Sequence, residues 1–338
     1  MAARAGVRIG IAYDFDQPSL ARFRAISPAI ELASTSRSDQ AAIDELATGD
    51  LDGLVGAGLP SDPGRTPSLR WLQVLSAGVE GLVGHGQPWP AGITLTNARG
   101  AYATSIGQYT IGAILRVAER VDRRREQQLR GEWPSGPEAA FLGDQVRGRT
   151  LTVVGYGGIG REIARLAVAH GMRVLAVKAD PSVSADDSYR VPGTGDPEGA
   201  LPERIVGVDG LRESVGEADF VSVTLPLTAR SRGVVSRDVL AALRPDAWII
   251  NTGRGPVIDE IALAEVLAAG RIGGAVLDVF GEEPLPASSP FWRLANVIIT
   301  PHVSGASSEA LGPLVAENLR RFVDGRPLIN RVDPARGY

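Results

Sequence analysis

The chain has 338 residues, which is enough for one large or two medium-sized domains. Its 35 basic and 39 acidic side chains give a net charge of −4, and this mildly acidic balance argues against a nucleic-acid partner. The chain has no cysteine, which excludes disulfides, thiolate zinc sites and a cysteine nucleophile and fits a cytoplasmic location.

Apolar strand and helix patterns alternate from the N-terminus onward, and this alternation favours parallel sheets. No apolar run approaches the length of about 18 residues that spans a bilayer, so we expect no membrane partner. For the first part of the chain we predict strands at Val7–Ala12, Leu51–Val55, Leu69–Leu75 and Thr94–Thr96, and helices at Leu20–Ala33, Gln40–Ala47 and Tyr102–Arg130.

Residues 150–160 combine an apolar strand with the pattern Gly-x-Gly-x-x-Gly, and a helix to His170 and a strand at Met172–Val177 follow. Gly155 permits the tight turn, Gly157 leaves room for a pyrophosphate, and Gly160 lets helix and strand pack closely. The phosphates then lie at the positive end of the helix. We interpret this segment as a dinucleotide-binding βαβ unit rather than an ordinary glycine-rich turn.

Residues 181–210 are rich in Gly, Pro and Asp, and we interpret them as a long, irregular surface loop. Four apolar strands follow, and helical patterns lie between them. We place the strands at Phe220–Leu225, Trp248–Ile250, Ala275–Val279 and Val297–Ile299, and the later helices at Asp259–Ala269 and about Ser307–Asp324.

The fingerprint lies in mid-chain, with a complete α/β unit before it and a final helix after it. This order predicts an α/β fold of two Rossmann-like or flavodoxin-like lobes with parallel sheets, the nucleotide lobe being inserted into the substrate lobe. We assign residues 1–99 and 303–338 to a substrate-binding (catalytic) domain and residues 100–302 to a dinucleotide-binding domain. A ligand is expected between the lobes, at the carboxyl ends of the strands.

Polar side chains follow three of the predicted strands at the same edge of the sheet. Arg254 can hold the carboxylate of a 2-oxo acid with its fork of donors. His302 can give a proton to the carbonyl oxygen as a hydride reaches the carbon. A carboxylate beside His302 favours the imidazolium and orients the ring, and either Glu283 or its neighbour Glu282 can fill this role.

The chain has only three histidines, so the alternatives to His302 are few. His170 ends the fingerprint helix, where a cation suits the helix dipole, and we assign it a structural role. His85 lies in a turn-rich loop and is expected to be solvated. No cluster of metal-ligating side chains is apparent, so we predict no metal site.

Five ordered motifs resemble those of the D-isomer-specific 2-hydroxyacid dehydrogenases, along nearly the whole chain. The resemblance implies an NAD(P)-dependent dehydrogenase in which Arg254 binds substrate, His302 is the acid/base and Glu283, the residue before the proline, supports it. It also implies that the backbone at Ala77, Gly78 and Val79 binds the substrate carboxylate. The motifs are Gly155–Gly160, Leu225–Thr228, Asn251–Gly255, Asp278–Pro284 and Thr300–Gly305.

By the same resemblance, Asp278 and Leu225–Pro226 line the nicotinamide side of a cofactor site. Residues 71–80, together with Phe291 and Trp292, are similar to glyoxylate/hydroxypyruvate reductases, so reduction of either acid is the favoured activity. The predicted cofactor-binding residues are Gly155, Tyr156, Gly157, Gly158, Ile159, Gly160, Lys178, Leu225, Pro226, Thr252, Gly253, Arg254, Asp278 and His302.

Two positions depart from the family pattern. NAD-using members usually carry Asp at the end of the second strand, where this chain has Lys178, 18 residues after Gly160. Lysine cannot accept a hydrogen bond from a ribose hydroxyl but can meet a 2′-phosphate, which favours NADP. The alternatives are that Asp180 substitutes through a shifted loop, or that Lys178 is solvated and both cofactors bind. Gln108 stands where the family more often has Glu.

A rival function in another class is a dinucleotide-sensing, corepressor-like binding protein on the same scaffold. The arginine-rich run over residues 120–130 is interpreted as a solvated helix face, because Asp122 and Glu126 are interleaved with the arginines. In the related family this helix and the segment that holds Trp133 contribute to a two-fold contact, so the resemblance implies a homodimer.

Overall fold

The computed structural model describes residues 6–83, 88–133, 142–305 and 309–335. The chain forms two compact units. The first comprises residues 1–102, 188–191 and 308–338, and the second comprises residues 103–187 and 192–307. The assignment of a substrate-binding role to residues 1–99 and 303–338 remains a prediction.

The first unit is built on a five-stranded parallel sheet with the strand order β2-β1-β3-β4-β5. Its strands are β1 (Val7–Ala12), β2 (Ile30–Thr35), β3 (Gly53–Val55), β4 (Trp71–Gln73) and β5 (Thr94–Thr96), and its helices are α1 (Gln17–Arg24), α2 (Gln40–Leu46) and the final helix α9 (Leu311–Val323).

The second unit is a seven-stranded parallel sheet with the order β12-β11-β10-β9-β6-β7-β8. Its helices are α3 (Ala103–Ala118), α4 (Val121–Leu129), α5 (Gly158–Ala169), α6 (Leu211–Gly216), α7 (Arg237–Ala241) and α8 (Glu260–Ala268). Its strands are β6 (Thr150–Val154), β7 (Arg173–Val177), β8 (Arg204–Val206), β9 (Phe220–Val223), β10 (Trp248–Asn251), β11 (Gly274–Leu277) and β12 (Val297–Ile299).

The strand order of the second unit indicates where a ligand crevice lies. Strand β6 pairs with β7 on one side and with β9 on the other, and all these pairings are parallel. Successive strands are therefore added on one side of β6 up to β8 and on its other side from β9 onward. In open parallel sheets such a change of side opens a crevice at the carboxyl ends of the strands. The glycine turn that follows β6 lies at this edge. Two parallel-stranded sheets with helices confirm the predicted α/β fold class.

Three predicted elements were wrong. Leu20–Ala33 is not one helix, because α1 ends at Arg24 and Ile30 begins a strand that pairs with β1. Pro28 explains the break, since the residue before a proline is driven away from helical geometry. The helix predicted over Tyr102–Arg130 is two helices, separated at Arg120, which has a left-handed φ of 51°.

The third error concerns residues 181–210, which are more than a surface loop. Residues 204–206 form the edge strand β8, paired with β7. Asp196 is buried, and its side chain accepts hydrogen bonds from the backbone of Ala200 and Leu201. Ser188 is also buried. The start predicted for the last helix, at Ser307, lies outside the described residues. Over the described part of the chain, no helix is both long enough and apolar enough to cross a bilayer.

Candidate active site

The turn after β6 has the shape that a pyrophosphate needs. Gly155 has a φ of 106°, and a Cβ there would lie 2.9 Å from Thr224 Oγ1. A Cβ at Gly160 would lie 2.2 Å from the Gly155 oxygen, so helix α5 approaches the strand closely. A Cβ at Gly157 would meet no atom within 4 Å, so this glycine faces open space. It is also the N-cap of α5 and offers no side-chain cap to the first amides.

The neighbouring turn after β10 also fits a cofactor. Thr252 Oγ1 is buried and makes no hydrogen bond within the described residues. A buried hydroxyl without a partner costs about 1–3 kcal/mol, so a polar ligand group here would be stabilised. A Cβ at Gly253 would lie 2.7 Å from the Leu225 oxygen, so this turn packs against the one after β9. The Pro226 carbonyl accepts a hydrogen bond of 2.6 Å from Ser231 Oγ.

Tyr156, the second residue of the fingerprint, points into the core rather than into the crevice. Its hydroxyl donates to Asp196 Oδ2 at 2.6 Å, and the Arg161 guanidinium lies 4.7 Å from the centre of its ring. Burial, reinforced by the Asp196 carboxylate, raises the pKa of Tyr156. Ile159 packs against the same core. A cofactor contact at residue 156 therefore has to use the backbone.

Lys178 follows the last residue of β7, and its backbone N–H donates to the Val206 carbonyl at 2.9 Å. Its ammonium donates to the Val183 carbonyl. In the same turn, Asp180 accepts hydrogen bonds from the hydroxyl and the backbone N–H of Ser182, and these lower the pKa of Asp180. Lys178 is the only lysine of the chain, and it directly follows β7, the strand that pairs with the fingerprint strand β6.

His302 and Glu283 form a hydrogen-bonded pair. His302 Nδ1 lies 2.8 Å from Glu283 Oε2, while Glu283 Oε1 accepts from the Phe280 N–H at 2.9 Å. The structure thus pairs His302 with Glu283 and not with Glu282. Spacing alone could not separate the two, whereas the family resemblance selected Glu283. With the Nδ1 proton directed at the carboxylate, Nε2 is the ring nitrogen that can exchange a proton with a substrate. The His302 side chain is 48% exposed and therefore accessible.

The turn that carries His302 is held by Asp278. This carboxylate is fully buried and accepts hydrogen bonds from Thr300 Oγ1 at 2.6 Å, Val303 N at 2.9 Å and Ser304 N at 3.0 Å. The backbone N–H of His302 donates to the Asp278 carbonyl at 2.8 Å, and His302 adopts a left-handed φ of 55°. Asp278 was predicted for its position beside the nicotinamide. The structure adds that its side chain orders the acid/base turn.

Two further residues of this network were not identified from the sequence. The Tyr109 hydroxyl lies 2.6 Å from Thr300 Oγ1, which itself donates to Asp278. Since Thr300 gives its one hydroxyl proton to Asp278, the Tyr109 hydroxyl is the donor to Thr300, and burial raises the pKa of Tyr109. Thr300 had a signal in the sequence, because it ends the strand before Pro301 and His302. Tyr109 had none, because it lies on α3, far away along the chain.

Arg254 lies in the turn after β10, and Asn251 shapes that turn. The Asn251 side chain accepts from Gly253 N at 3.1 Å and donates to the Arg254 carbonyl at 3.2 Å. A Cβ at Gly255 would lie 2.0 Å from the carbonyl carbon of Phe280. The Arg254 turn therefore packs directly against the turn that carries Glu283. Because β10, β11 and β12 are neighbours, Arg254, Glu283 and His302 lie at one edge of the sheet.

The remaining predicted residues lie elsewhere. Ala77, Gly78 and Val79 follow β4 in the first unit, where Asn97 Nδ2 donates to the Ala77 carbonyl at 2.8 Å and the Gly78 carbonyl accepts from Ser76 Oγ at 2.7 Å. His170 is the C-cap of α5, and its Nδ1 lies 2.7 Å from the Leu166 carbonyl, in keeping with a structural role. His85 lies outside the described residues.

Comparisons with known proteins show which sequences and structures this chain is similar to. A family model described as D-isomer specific 2-hydroxyacid dehydrogenase, NAD binding domain, matches residues 111–304. An (S)-sulfolactate dehydrogenase from Chromohalobacter salexigens is 34% identical over 265 residues, which cover 78% of this chain and 80% of the relative. A glyoxylate/hydroxypyruvate reductase B from Serratia proteamaculans is 32% identical over 305 residues, covering 86% of this chain and 87% of the relative.

Solved structures have the same fold. A D-isomer specific 2-hydroxyacid dehydrogenase from Xanthobacter autotrophicus, in complex with NADPH and MES, aligns with a TM-score of 0.77 and 27% sequence identity. The alignment covers 99% of this chain and 100% of that chain. The similarity therefore extends over both compact units, including the part that precedes the match to the family model.

Proposed function

The chain belongs to the D-isomer specific 2-hydroxyacid dehydrogenase family, and from that membership we propose that it reduces glyoxylate and hydroxypyruvate with NADPH. Hydride transfer between NAD(P)H and a small 2-oxo acid is the activity of an enzyme of this kind. The alternative of a dinucleotide-sensing binding protein is not favoured by these relatives.

The observation that carries the proposal is the 2.8 Å pair between His302 Nδ1 and Glu283 Oε2 at the carboxyl edge of the sheet. Reduction of a 2-oxo acid makes the carbonyl oxygen negative, and this oxygen must gain a proton. Glu283 orients the imidazole so that Nε2 can donate that proton. The Phe280 N–H fixes Glu283 in turn, at 2.9 Å.

Arg254 supports the second half of the proposal, which is recognition of the acid. A guanidinium has paired donors that match a carboxylate, and the Arg254 turn packs against the Glu283 turn. In the structure Arg254 Nη1 donates to the Gly253 carbonyl at 2.8 Å, so binding the acid requires exchange of this contact. A nicotinamide cofactor, when bound, supplies the hydride. From the resemblance, we also propose that the backbone at Ala77–Val79 contacts the substrate carboxylate and that residues 1–99 and 303–338 form the substrate domain.

The activity test is a panel of acids with both cofactors. Purified protein is mixed with NADPH or NADH and with glyoxylate, hydroxypyruvate or other 2-oxo acids, and loss of reduced nicotinamide absorbance is followed. Sulfolactate with oxidised cofactor is included, because one relative is a sulfolactate dehydrogenase. We expect the highest kcat/KM for glyoxylate or hydroxypyruvate. Turnover on sulfolactate alone would refute this substrate choice, and cofactor binding without any turnover would support a sensor.

The preference for NADPH is proposed from Lys178. Its ammonium lies at the end of β7, the strand beside the fingerprint strand, where a cation suits a 2′-phosphate. The Xanthobacter autotrophicus neighbour was solved with NADPH, which supports the same choice. Lys178→Ala should raise the KM for NADPH roughly tenfold and leave that for NADH nearly unchanged. Arg237→Ala, which removes a cation paired with Glu265, is the matched control.

A chemical test of the same proposal uses the fact that Lys178 is the only lysine. Side-chain acetylation of the folded protein then modifies a single site, which peptide mass spectrometry can quantify. NADPH should protect Lys178 from acetylation more than NADH does at equal saturation. Equal protection by the two cofactors would contradict a contact with the 2′-phosphate.

We also propose a cytoplasmic homodimer that uses α4 and the segment after it. Helix α4 buries none of its own residues, while Leu129 is 69% and Trp133 is 93% exposed. Exposed large apolar side chains of this kind are typical of an interface. Light scattering on a sizing column should give twice the chain mass, and Trp133→Glu should halve it. A wild-type mass of one chain would refute the dimer.

A further inference from the structure

A third carboxylate, Glu260, lies behind the Glu283–His302 pair. Glu260 is the first residue of α8, and the preceding Asp259 already caps this helix by accepting from Ala262 N at 3.0 Å. Glu260 is therefore available for another contact. Its Oε1 accepts a hydrogen bond of 2.7 Å from the N–H of Gly281, which lies 21 residues away in the turn after β11.

The contact places Glu260 directly beside the machinery proposed for proton transfer. Gly281 N–H donates to Glu260, and the adjacent Phe280 N–H donates to Glu283 Oε1 at 2.9 Å. Two consecutive backbone amides thus bind two different carboxylates. Because the second oxygen of Glu283 bonds to His302, a shift of this turn changes the position of the imidazole. A Cβ at Gly281 would lie 2.9 Å from Glu260 Oε2, so the turn fits tightly against Glu260.

The carboxylates of Glu260 and Glu283 also interact electrostatically. Burial raises the pKa of Glu260, the Gly281 N–H partly lowers it, and the Glu283 carboxylate raises it further. Electrostatic coupling is mutual, so Glu260 repels negative charge at Glu283 as strongly as Glu283 repels it at Glu260.

The charged groups around Glu260 have other partners. On its own helix, Asp259 is the N-cap and Glu265 pairs with Arg237 of the adjacent helix α7. From the turn after β11, the carboxylate that acts on Glu260 is Glu283, with the imidazole of His302 beyond it. Over the described residues, no cation is bonded to Glu260, so its charge is balanced chiefly by the Gly281 amide.

We propose that Glu260 is a positioning residue for proton transfer, which holds the turn of Glu283 through the Gly281 N–H. The inference rests on the proposed function, because it gives Glu260 a role only through Glu283 and His302. The role depends on a hydrogen-bond acceptor at residue 260.

Two variants test the need for a hydrogen-bond acceptor at residue 260. Glu260→Gln keeps an oxygen that can accept from Gly281 N–H but has no charge, and Glu260→Ala removes both. Glu265→Gln is the matched control, because it removes a carboxylate from the same helix at a site that contacts Arg237 instead. All three are tested in the full chain for folding, cofactor affinity, and kcat and KM as a function of pH.

An NMR measurement gives a readout that does not need turnover. Glu260→Ala removes the acceptor of the Gly281 N–H, so the exchange of the Gly281 amide hydrogen with solvent should become faster. Glu260→Gln should keep this exchange near its wild-type rate, and Glu265→Gln should not change it.

The kinetic prediction for Glu260→Ala is a lower kcat, by roughly tenfold, with KM little changed. Glu260→Gln should recover most of this loss, because it keeps an acceptor for the Gly281 N–H. The proposal is overturned if Glu260→Ala leaves the Gly281 amide exchange and kcat unchanged, or if Glu265→Gln changes them equally. If the amide exchange changes as expected but the protein turns over no 2-oxo acid, the contact stands and the proposed function fails.

Discussion

The His302→Ala substitution tests the proposed chemistry most directly. A general acid contributes about 100- to 10,000-fold to the rate, and we expect kcat/KM for reduction to fall within this range. The structure predicts that the loss is chemical, because the His302 side chain is half exposed and its removal leaves no core cavity. The backbone bond from His302 N to the Asp278 carbonyl, at 2.8 Å, is kept in the variant.

The assay separates chemistry from folding and cofactor binding. Reduced nicotinamide absorbance gives turnover, quenching of protein fluorescence gives cofactor affinity, and thermal unfolding gives stability. We expect affinity and stability to change little. Glu283→Gln should lie between wild type and His302→Ala, since its one amide oxygen can accept from Nδ1–H or from the Phe280 N–H but not both, and it carries no charge. Equal losses of turnover and cofactor affinity in His302→Ala would identify a structural histidine and refute the proposed role.

Three further predictions concern the groups around this pair. Asp278→Asn should destabilise the second unit by about 1–3 kcal/mol in urea unfolding, because an amide NH2 would face backbone N–H donors in a buried site; an unchanged midpoint would contradict this. Gly157→Val should abolish cofactor binding without loss of stability, since a Cβ at residue 157 has no neighbour within 4 Å. Gly160→Ala should destabilise the fold, because a Cβ there would lie 2.2 Å from a backbone oxygen. Loss of stability in Gly157→Val but not in Gly160→Ala would contradict the fingerprint interpretation. The pKa of Glu260 is raised above 4.5 in the folded protein, so keeping this side chain ionised costs stability as the pH rises. Glu260→Gln should therefore unfold at a higher temperature than wild type at neutral pH, and the difference between the two unfolding temperatures should shrink in acid. A difference that grows in acid would contradict this sign.

The candidate site could be predicted where the sequence places function next to a strand. Arg254 and His302 each follow a short apolar strand, and the carboxyl ends of parallel strands meet at one edge, so their proximity follows from local patterns. The same logic selected Gly155 and Gly157, whose spacing encodes the turn. Spacing reached the region of Glu283 but could not separate Glu283 from Glu282, because one residue of spacing in a turn does not determine which side chain faces His302. The resemblance to the family was needed to select Glu283.

The sequence could not predict contacts that arise only when separate elements pack. Tyr109 reaches Thr300 from α3, and Glu260 reaches Gly281 from the start of α8, and neither residue lies in a pattern that implies such a partner. Tyr156 stands inside the fingerprint, yet its hydroxyl bonds to Asp196 in a segment that composition alone assigned to the surface. Each of these contacts depends on side-chain direction, which periodicity does not specify.

The carboxylates around His302 have a common feature that bears on how the site is held in place. Asp278, Glu283 and Glu260 each accept a hydrogen bond from a backbone N–H group, at 2.7–3.0 Å. These N–H groups lie in the turns after β11 and β12, so the carboxylates fix the backbone of those turns as well as their own side chains. Because the second oxygen of Glu283 bonds to His302, the position of the imidazole depends on how well these turns are ordered.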